Sequence, residues 1–496
     1  MTTAVATINR LATGVPGLDE VFGGGLPEFS FNLIAGPPGS GKTTLAHQMM
    51  FALATAERPA LYFTVLGEPP LKMFRYQQQF EFFDSEKIGE SIHFINLAEE
   101  TASGDLGMVL ARMTAEVETH GPGLVFVDSF RSVILAGEVE GNRFISLQQF
   151  IQQLGMLMTT WQATTFLLGE YFNEDEPSPV FTVADGLIWL RQSVQSNSMV
   201  RKMEIVKMRG QPSLPGLHTF RISHAGFQVF APPALSSLFK RTPALGTDDR
   251  LKMGVHGLDE MMGGGLPRGY SLLVAGPSGS GKSILASAFL VEGAHAGEAG
   301  VIAAFEQRTN QSRGPVMAQL IDSDRVGVID TRSAALSVDE ISMLLITEIR
   351  RLHATRVVID SLSGFELSLA PTFRDDFRES LSRLVSSLTD IGITVLMTSE
   401  LEDRYGELRF SPYGTAFLTD AIIVQRYIEV DSRLQRMMAV VKIRGSAHSN
   451  ALHLFHIDDD GIKVGEMLAG FEGLLGGRPT RRQRKLEGPS IGADDG

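Results

Sequence analysis

Two short glycine-rich stretches carry the most specific chemistry in this chain. Residues 36–43 read GPPGSGKT and residues 276–283 read GPSGSGKS, and both fit GxxxxGK[ST]. Glycines in such a loop let consecutive backbone N–H groups turn inward to cradle phosphates, and a helix that follows adds positive potential. Gly36, Gly39, Ser40 and Gly41 supply the first cradle, and Gly276, Gly279, Ser280 and Gly281 the second. Lys42 and Lys282 are placed to reach the β- and γ-phosphates, for binding and for catalysis, and Thr43 and Ser283 to ligate Mg²⁺. Each loop follows an apolar run and opens a stretch with helical spacing, the context that separates a phosphate loop from a solvated glycine turn.

Carboxylates and cations recur at matching places. Asp128 and Asp360 end apolar runs, where an aspartate holds Mg²⁺ through its water shell or caps a helix. Hydrolysis also needs a carboxylate to orient water; Glu68 and Glu306, after the next apolar run in each half, are the candidates, with a solvated surface glutamate as the alternative. Glu170 and Glu400 follow a later run and either sense the γ-phosphate or are solvated. Lys207 and Arg209, and Lys442 and Arg444, alternate on strand-like segments, so each pair shares a face. That face is either a plain basic surface or a pair of cations presented to a neighbouring subunit's γ-phosphate.

The elements that must position these groups occur twice. VPGLDE (15–20) returns as VHGLDE (255–260), and GGGLP (23–27) as GGGLP (263–267), both offset by 240 residues like the two loops. VDS, ADG and KMRG in the first half return as IDS, TDA and KIRG in the second, in the same order. A period this long means tandem domains. The expected division is 1–230, a linker at 231–250 rich in Pro, Ser and Thr, a second domain at 251–473, and a basic, disordered tail at 474–496. Apolar runs at 31–35, 60–65, 124–127 and 164–168, and at 271–275, 300–304, 357–359 and 393–397, alternate with helical patterns. They predict an α/β fold in each half, a mostly parallel sheet covered on both faces.

Composition sets outer bounds. The chain has 496 residues, enough for two to four domains, and an ordinary globular balance of 43% hydrophobic and 20% charged residues. A net charge of −13 disfavours a dedicated nucleic-acid coat. The stretch after Asp128 has one arginine and two glutamates, a poor match to the basic loops of a DNA translocase. No cysteine is present, so disulfides and thiolate chemistry are excluded. The first residues lack a signal-peptide pattern and no run of 18 apolar residues occurs, so the expectation is a cytoplasmic protein with no membrane span.

The doubled GxDE, GGGLP, GPxGSGK[ST], VDS/IDS and K(M/I)RG arrangement, over about residues 8–473, resembles the KaiC family of cyanobacterial clock ATPases. The resemblance implies two RecA-like domains, ATP and Mg²⁺ as ligands, and a double-ring homohexamer with ATP between subunits. It also implies that Lys207, Arg209, Lys442, Arg444, Ser446 and His448 reach the neighbour's ATP. In KaiC the first ring is a slow ATPase and the second an autokinase. Here the adjacent pair of catalytic glutamates is reduced to Gly67-Glu68 and Glu306-Gln307, and the phosphorylated pair falls on Ala416 and Phe417, which carry no hydroxyl. Ser411, Thr415 and Thr419 remain as displaced acceptors, or as ordinary caps and turns. A KaiB-like partner on the first ring follows from family membership alone, and the tail does not match the end that receives a KaiA-like partner. Three readings follow: an ATP-driven switch, a DNA recombinase or translocase, and a scaffold whose second ring binds ATP without turnover.

Overall fold

The computed structural model describes residues 8–65, 70–136, 143–172, 178–195, 198–231, 249–305, 314–330, 336–369, 377–401, 419–430, 432–468, 471–472 and 480–481. The chain divides into two compact units, Met1–Pro232 and Pro233–Gly496.

The first unit is built on a nine-stranded sheet. Its strands are β1 (Phe31–Gly36), β2 (Ala60–Thr64), β3 (Ile92–Asn96), β4 (Leu124–Asp128), β5 (Thr164–Glu170), β6 (Gly186–Gln195), β7 (Ser198–Met208), β8 (His218–Ser223) and β9 (Gly226–Phe230). Their order is β9-β8-β7-β6-β1-β5-β4-β2-β3. Strands β1 to β6 pair in parallel, and β6 to β9 run as antiparallel hairpins. Successive residues of β1 serve opposite faces. Ile34 packs under helix α1 (Lys42–Leu53) with Tyr62, Phe126 and Leu168, whereas Leu33 and Ala35 face Leu61, Phe63 and the helices α2 (Leu106–His120) and α3 (Arg143–Thr160). Because both faces are covered, the central strands are largely apolar, with Asn32, Thr164 and Thr165 as buried polar exceptions.

The second unit repeats the plan. Its strands are β10 (Ser271–Gly276), β11 (Gly300–Ala304), β12 (Val326–Asp330), β13 (Arg356–Asp360), β14 (Thr394–Glu400), β15 (Ala421–Val430), β16 (Arg433–Ile443), β17 (His453–Asp458) and β18 (Gly461–Met467). Their order, β12-β11-β13-β14-β10-β15-β16-β17-β18, is the first sheet read from the other end. Helix α4 (Lys282–His295) covers one face through Leu285, Ala286 and Phe289. Each is the mostly parallel, helix-covered sheet that the alternation of apolar runs predicts, in the RecA-like P-loop form that the resemblance implies.

The VxGLDE and GGGLP motifs hold the entry to each domain. Thr13 N–H donates to Asp19 Oδ1 at 2.8 Å, and Met253 N–H to Asp259 Oδ1 at 2.6 Å. In the second unit an ionic cluster ties helix α4 to β13. Arg356, 2% exposed, donates through Nε to Glu298 at 2.6 Å and through Nη1 to the carbonyls of Lys252 and Phe289. Arg268 donates to the same carboxylate at 2.6 Å. Thr480–Arg481, inside the stretch expected to be a disordered tail, pairs with Phe471–Glu472 as two antiparallel strands. Among the described residues no helix is long and apolar enough to cross a membrane.

Candidate functional site

The strand order reverses around β1 and β10, so a crevice opens at their C-terminal ends, where open α/β sheets bind ligands. Both glycine-rich loops lie there. Gly41 and Gly281 occupy the left-handed region, with φ of 99° and 105°, and hand the chain to α1 and α4. A Cβ on Gly41 would stand 2.5 Å from Ile222 Cδ1, and one on Gly281 2.7 Å from Ile457 Cδ1, tips that could swing aside, so it is the left-handed conformation that calls for glycine.

Lys42 Nζ donates to the carbonyls of Gly36 at 3.0 Å and Pro37 at 2.9 Å, and Lys282 Nζ does the same with Gly276 at 3.0 Å and Pro277 at 2.8 Å. Burial lowers the pKa of Lys42, against the raising pull of Glu170 and Asp128. Asp128 ends β4 with its Oδ2 accepting from Thr43 Oγ1 at 2.8 Å and from Tyr62 OH at 2.7 Å. Burial raises the Asp128 pKa, against the two hydroxyl donors and Lys42. Around these groups lies a cavity of about 570 Å³, also lined by Gly39, Ser132, Glu170 and Arg201. The smaller second cavity, about 210 Å³, brings together Gly279, Lys282, Ser283, Asp360 and Glu400. Asp360 accepts from Thr398 Oγ1 at 2.5 Å. The peptide bond after each aspartate, to Ser129 and to Ser361, is cis. A cradle of N–H groups, an ammonium, a hydroxyl and a carboxylate converge in each half. That donor set fits a nucleotide phosphate with Mg²⁺, whose charge Thr43 with Asp128, and Ser283 with Asp360, would hold.

The KxRG cations rest within their own chain. Lys207 Nζ donates to the carbonyls of Phe181, Thr182 and Ala184 at the end of a short helix, and Arg209 pairs with Asp185 at 3.1 Å. Burial lowers the Lys207 pKa, with Arg209 adding to it and Asp185 opposing. Lys442 is lowered for the same reasons, with Arg444 and Asp420 in those roles, and Arg444 lies 3.5 Å from Asp420. Asp185 and Asp420 also accept from the backbone N–H of Phe31 and Ser271, which explains the recurring ADG and TDA motifs. Arg250 donates to the Ser446 hydroxyl, and His448 Nδ1 lies 3.3 Å from the Ser446 carbonyl.

Glu68, Glu306, Ser411 and Thr415 lie outside the described residues, with Ala416 and Phe417. The residues before the two glutamates are informative. Val65 N–H donates to the Asp128 carbonyl at 3.0 Å and Phe305 N–H to the Asp360 carbonyl at 2.9 Å. Val65 and Phe305 are therefore equivalent, and Glu306 corresponds to Leu66, two residues before Glu68. Thr419 is fully buried.

Four residues escaped the sequence reading. Tyr62 and Thr398 donate hydrogen bonds to the two strand-end aspartates, Asp128 and Asp360. Arg201 pairs in register with Gln192, which donates to the Pro38 carbonyl of the first loop at 3.3 Å. Arg436 pairs with Tyr427, and its guanidinium lies 5.4 Å from the Tyr427 ring centroid. Nε of both arginines is buried and has no hydrogen-bond partner among the described residues. Each lies six residues before the KxRG lysine, a spacing that could have been read from the repeat.

Fold and site together define a protein of two tandem P-loop domains with RecA-like architecture. A family model described as ATPase: KaiC matches residues 11–234 and 251–469, nearly all of both units. The chain belongs to the KaiC family. Among curated relatives it is 26% identical, over 96% of this chain and 94% of the other, to the circadian clock oscillator protein KaiC of a Picosynechococcus strain. It is 26% identical to KaiC 1 of a Synechocystis strain and 25% to KaiC of Synechococcus elongatus, each over 96% of this chain and 92% of the other.

Proposed function

We propose that this chain binds ATP with Mg²⁺ in both halves, hydrolyses it as a double-ring homohexamer, and works as a conformational switch that a partner reads. The observation that carries this reading is the twofold recurrence of a phosphate cradle, lysine, hydroxyl and strand-end aspartate at a topological switch point. Bound Mg²⁺ would offset the charge of the β- and γ-phosphates. Lys42 and Lys282 would leave their loop carbonyls for the phosphate oxygens. In the ring Lys207 with Arg209, and Lys442 with Arg444, Ser446 and His448, would turn to the neighbour's nucleotide, a change that would release the exposed or half-buried ion pairs of Arg209 with Asp185 and Arg444 with Asp420. A KaiB-like partner on the first ring belongs to the same reading.

The halves should differ in turnover. Glu306 follows directly on Phe305, whereas Leu66 takes that place in the first half and Glu68 stands two residues on. The second half is therefore assigned the faster hydrolysis. A KaiC-type phosphorylation cycle has no hydroxyl at Ala416 and Phe417 and none exposed at Thr419.

Turnover and native mass of the wild type, Lys42→Ala and Lys282→Ala proteins test this. Lys282→Ala should remove most ATP consumption and Lys42→Ala a minor share. A wild-type protein that stays monomeric in ATP·Mg²⁺ and consumes none would end the proposal. Intact mass after the same incubation reads phosphorylation directly: a gain of phosphate would place an acceptor at Ser411 or Thr415, for peptide mapping to distinguish.

A further inference from the structure

Asp128 and Asp360 are equivalent, yet their hydrogen-bond donors come from opposite flanks. Strand β4 lies between β2 and β5, and β13 between β11 and β14. In the first half the donor is Tyr62 on β2, and the β5 residue at the corresponding level is Leu168. In the second half the β11 position holds Ile302, and Thr398 on β14 donates instead. Each half thus keeps one extra hydroxyl on its metal-site aspartate, supplied by a different strand.

The setting of Tyr62 is built for that contact. The side chain is 1% exposed. His47, Phe94 and Phe126 hold its ring at centroid distances of 4.7, 5.3 and 6.2 Å. His47 and Phe94 have no aromatic counterparts in the second half, where Ser287 and Val328 occupy their places. Tyr62 OH and Thr43 Oγ1 both donate to Asp128 Oδ2, so together they fix the rotation of a carboxylate that lines the cavity.

We propose that Tyr62 is a positioning residue for the Mg²⁺ of the first half, holding the Asp128 carboxylate in the orientation that receives the metal, and that Thr398 does the same for Asp360. This rests on the reading that the first half binds ATP with Mg²⁺. The test uses full-length Lys282→Ala protein, so that the first half alone is read, with N-methylanthraniloyl-ADP as the probe. Nucleotide fluorescence is titrated with Mg²⁺, and affinity is measured separately in EDTA.

Tyr62→Phe keeps the ring and removes the hydroxyl. It should raise the half-saturating Mg²⁺ about tenfold to a hundredfold, the range of a hydrogen bond to a charged group, and leave affinity in EDTA unchanged. Adding Leu168→Thr to Tyr62→Phe transplants the second half's donor and should bring the Mg²⁺ requirement back toward wild type. An unchanged Mg²⁺ requirement in Tyr62→Phe overturns the inference, and so does an equal loss of affinity with and without metal, which would mark a structural role. If the Lys282→Ala protein with Tyr62 intact binds no nucleotide in Mg²⁺, the ATP-binding reading itself fails.

Discussion

Replacing His47 with leucine should flatten the pH dependence of the first unit's stability between pH 7 and pH 5. The ring lies in the middle of α1, fully buried, and among the described residues neither nitrogen has a partner within strict hydrogen-bond geometry, the Gln77 side chain being its polar neighbour. Burial holds its pKa at about 4, against a weaker raising influence of the Gln77 side chain. In the unfolded chain the same imidazole titrates near 6.5. As pH falls below 6.5 the unfolded state takes up a proton that the folded state refuses, so stability falls with pH and the loss is complete below the folded pKa. The gap between the two pKa values is worth about 3 kcal/mol in full, of which about 2 kcal/mol is lost by pH 5.

Leucine binds no proton, so the wild type should lose about 2 kcal/mol more than His47→Leu over this interval. His93, lowered by burial and by His120, and Asp128, raised by burial, titrate in both proteins and drop out of the difference. The chain's two tryptophans, Trp161 and Trp189, both lie in the first unit, so tryptophan fluorescence during urea unfolding reads that unit alone. With a urea slope of about 2–3 kcal/mol per molar, the midpoint separation of the two proteins should change by about 1 M between pH 7 and pH 5. Midpoints that move in parallel would refute a neutral, solvent-excluded His47.

Two further substitutions probe other parts. Arg356→Ala leaves Glu298 without one of its two guanidinium partners and removes the Nη1 donation to the carbonyls of Lys252 and Phe289. It should destabilise the second unit by about 3–5 kcal/mol, read by scanning calorimetry as a lowered transition. Gly41→Ala forces a side chain into φ 99° and against Ile222. It should weaken nucleotide binding in the first half more than tenfold, and adding Ile222→Val should not restore it, because the backbone strain remains.

Much of this architecture was legible because chemistry and repetition coincide. The offset of 240 residues that aligns the loops also aligns β1 with β10 and β2 with β11, and the apolar runs between them became the parallel strands. The aspartates at 128 and 360 were found because a strand end is where a sheet exposes polar groups beside the loop. Edge strands β3 and β12 were not foreseen: neither is a continuous apolar run, since His93 and Gly327 interrupt them. Tyr62 and Thr398 were hidden for a different reason. A donor's role depends on which strand lies beside the aspartate, and strand order is not written in local spacing. The inequality of Glu68 and Glu306 was legible in the same offset, which pairs Glu306 with Leu66.

The resting contacts of Lys42 and Lys282 bear on how a nucleotide enters and leaves. Each ammonium has two carbonyl partners inside its own loop, and these hydrogen bonds hold the loop in a defined conformation. On the nucleotide-binding reading, an arriving phosphate would exchange those carbonyls for its own oxygens, and a departing one would hand the lysine back to them. Binding would then trade one set of hydrogen bonds for another within a loop that is already shaped.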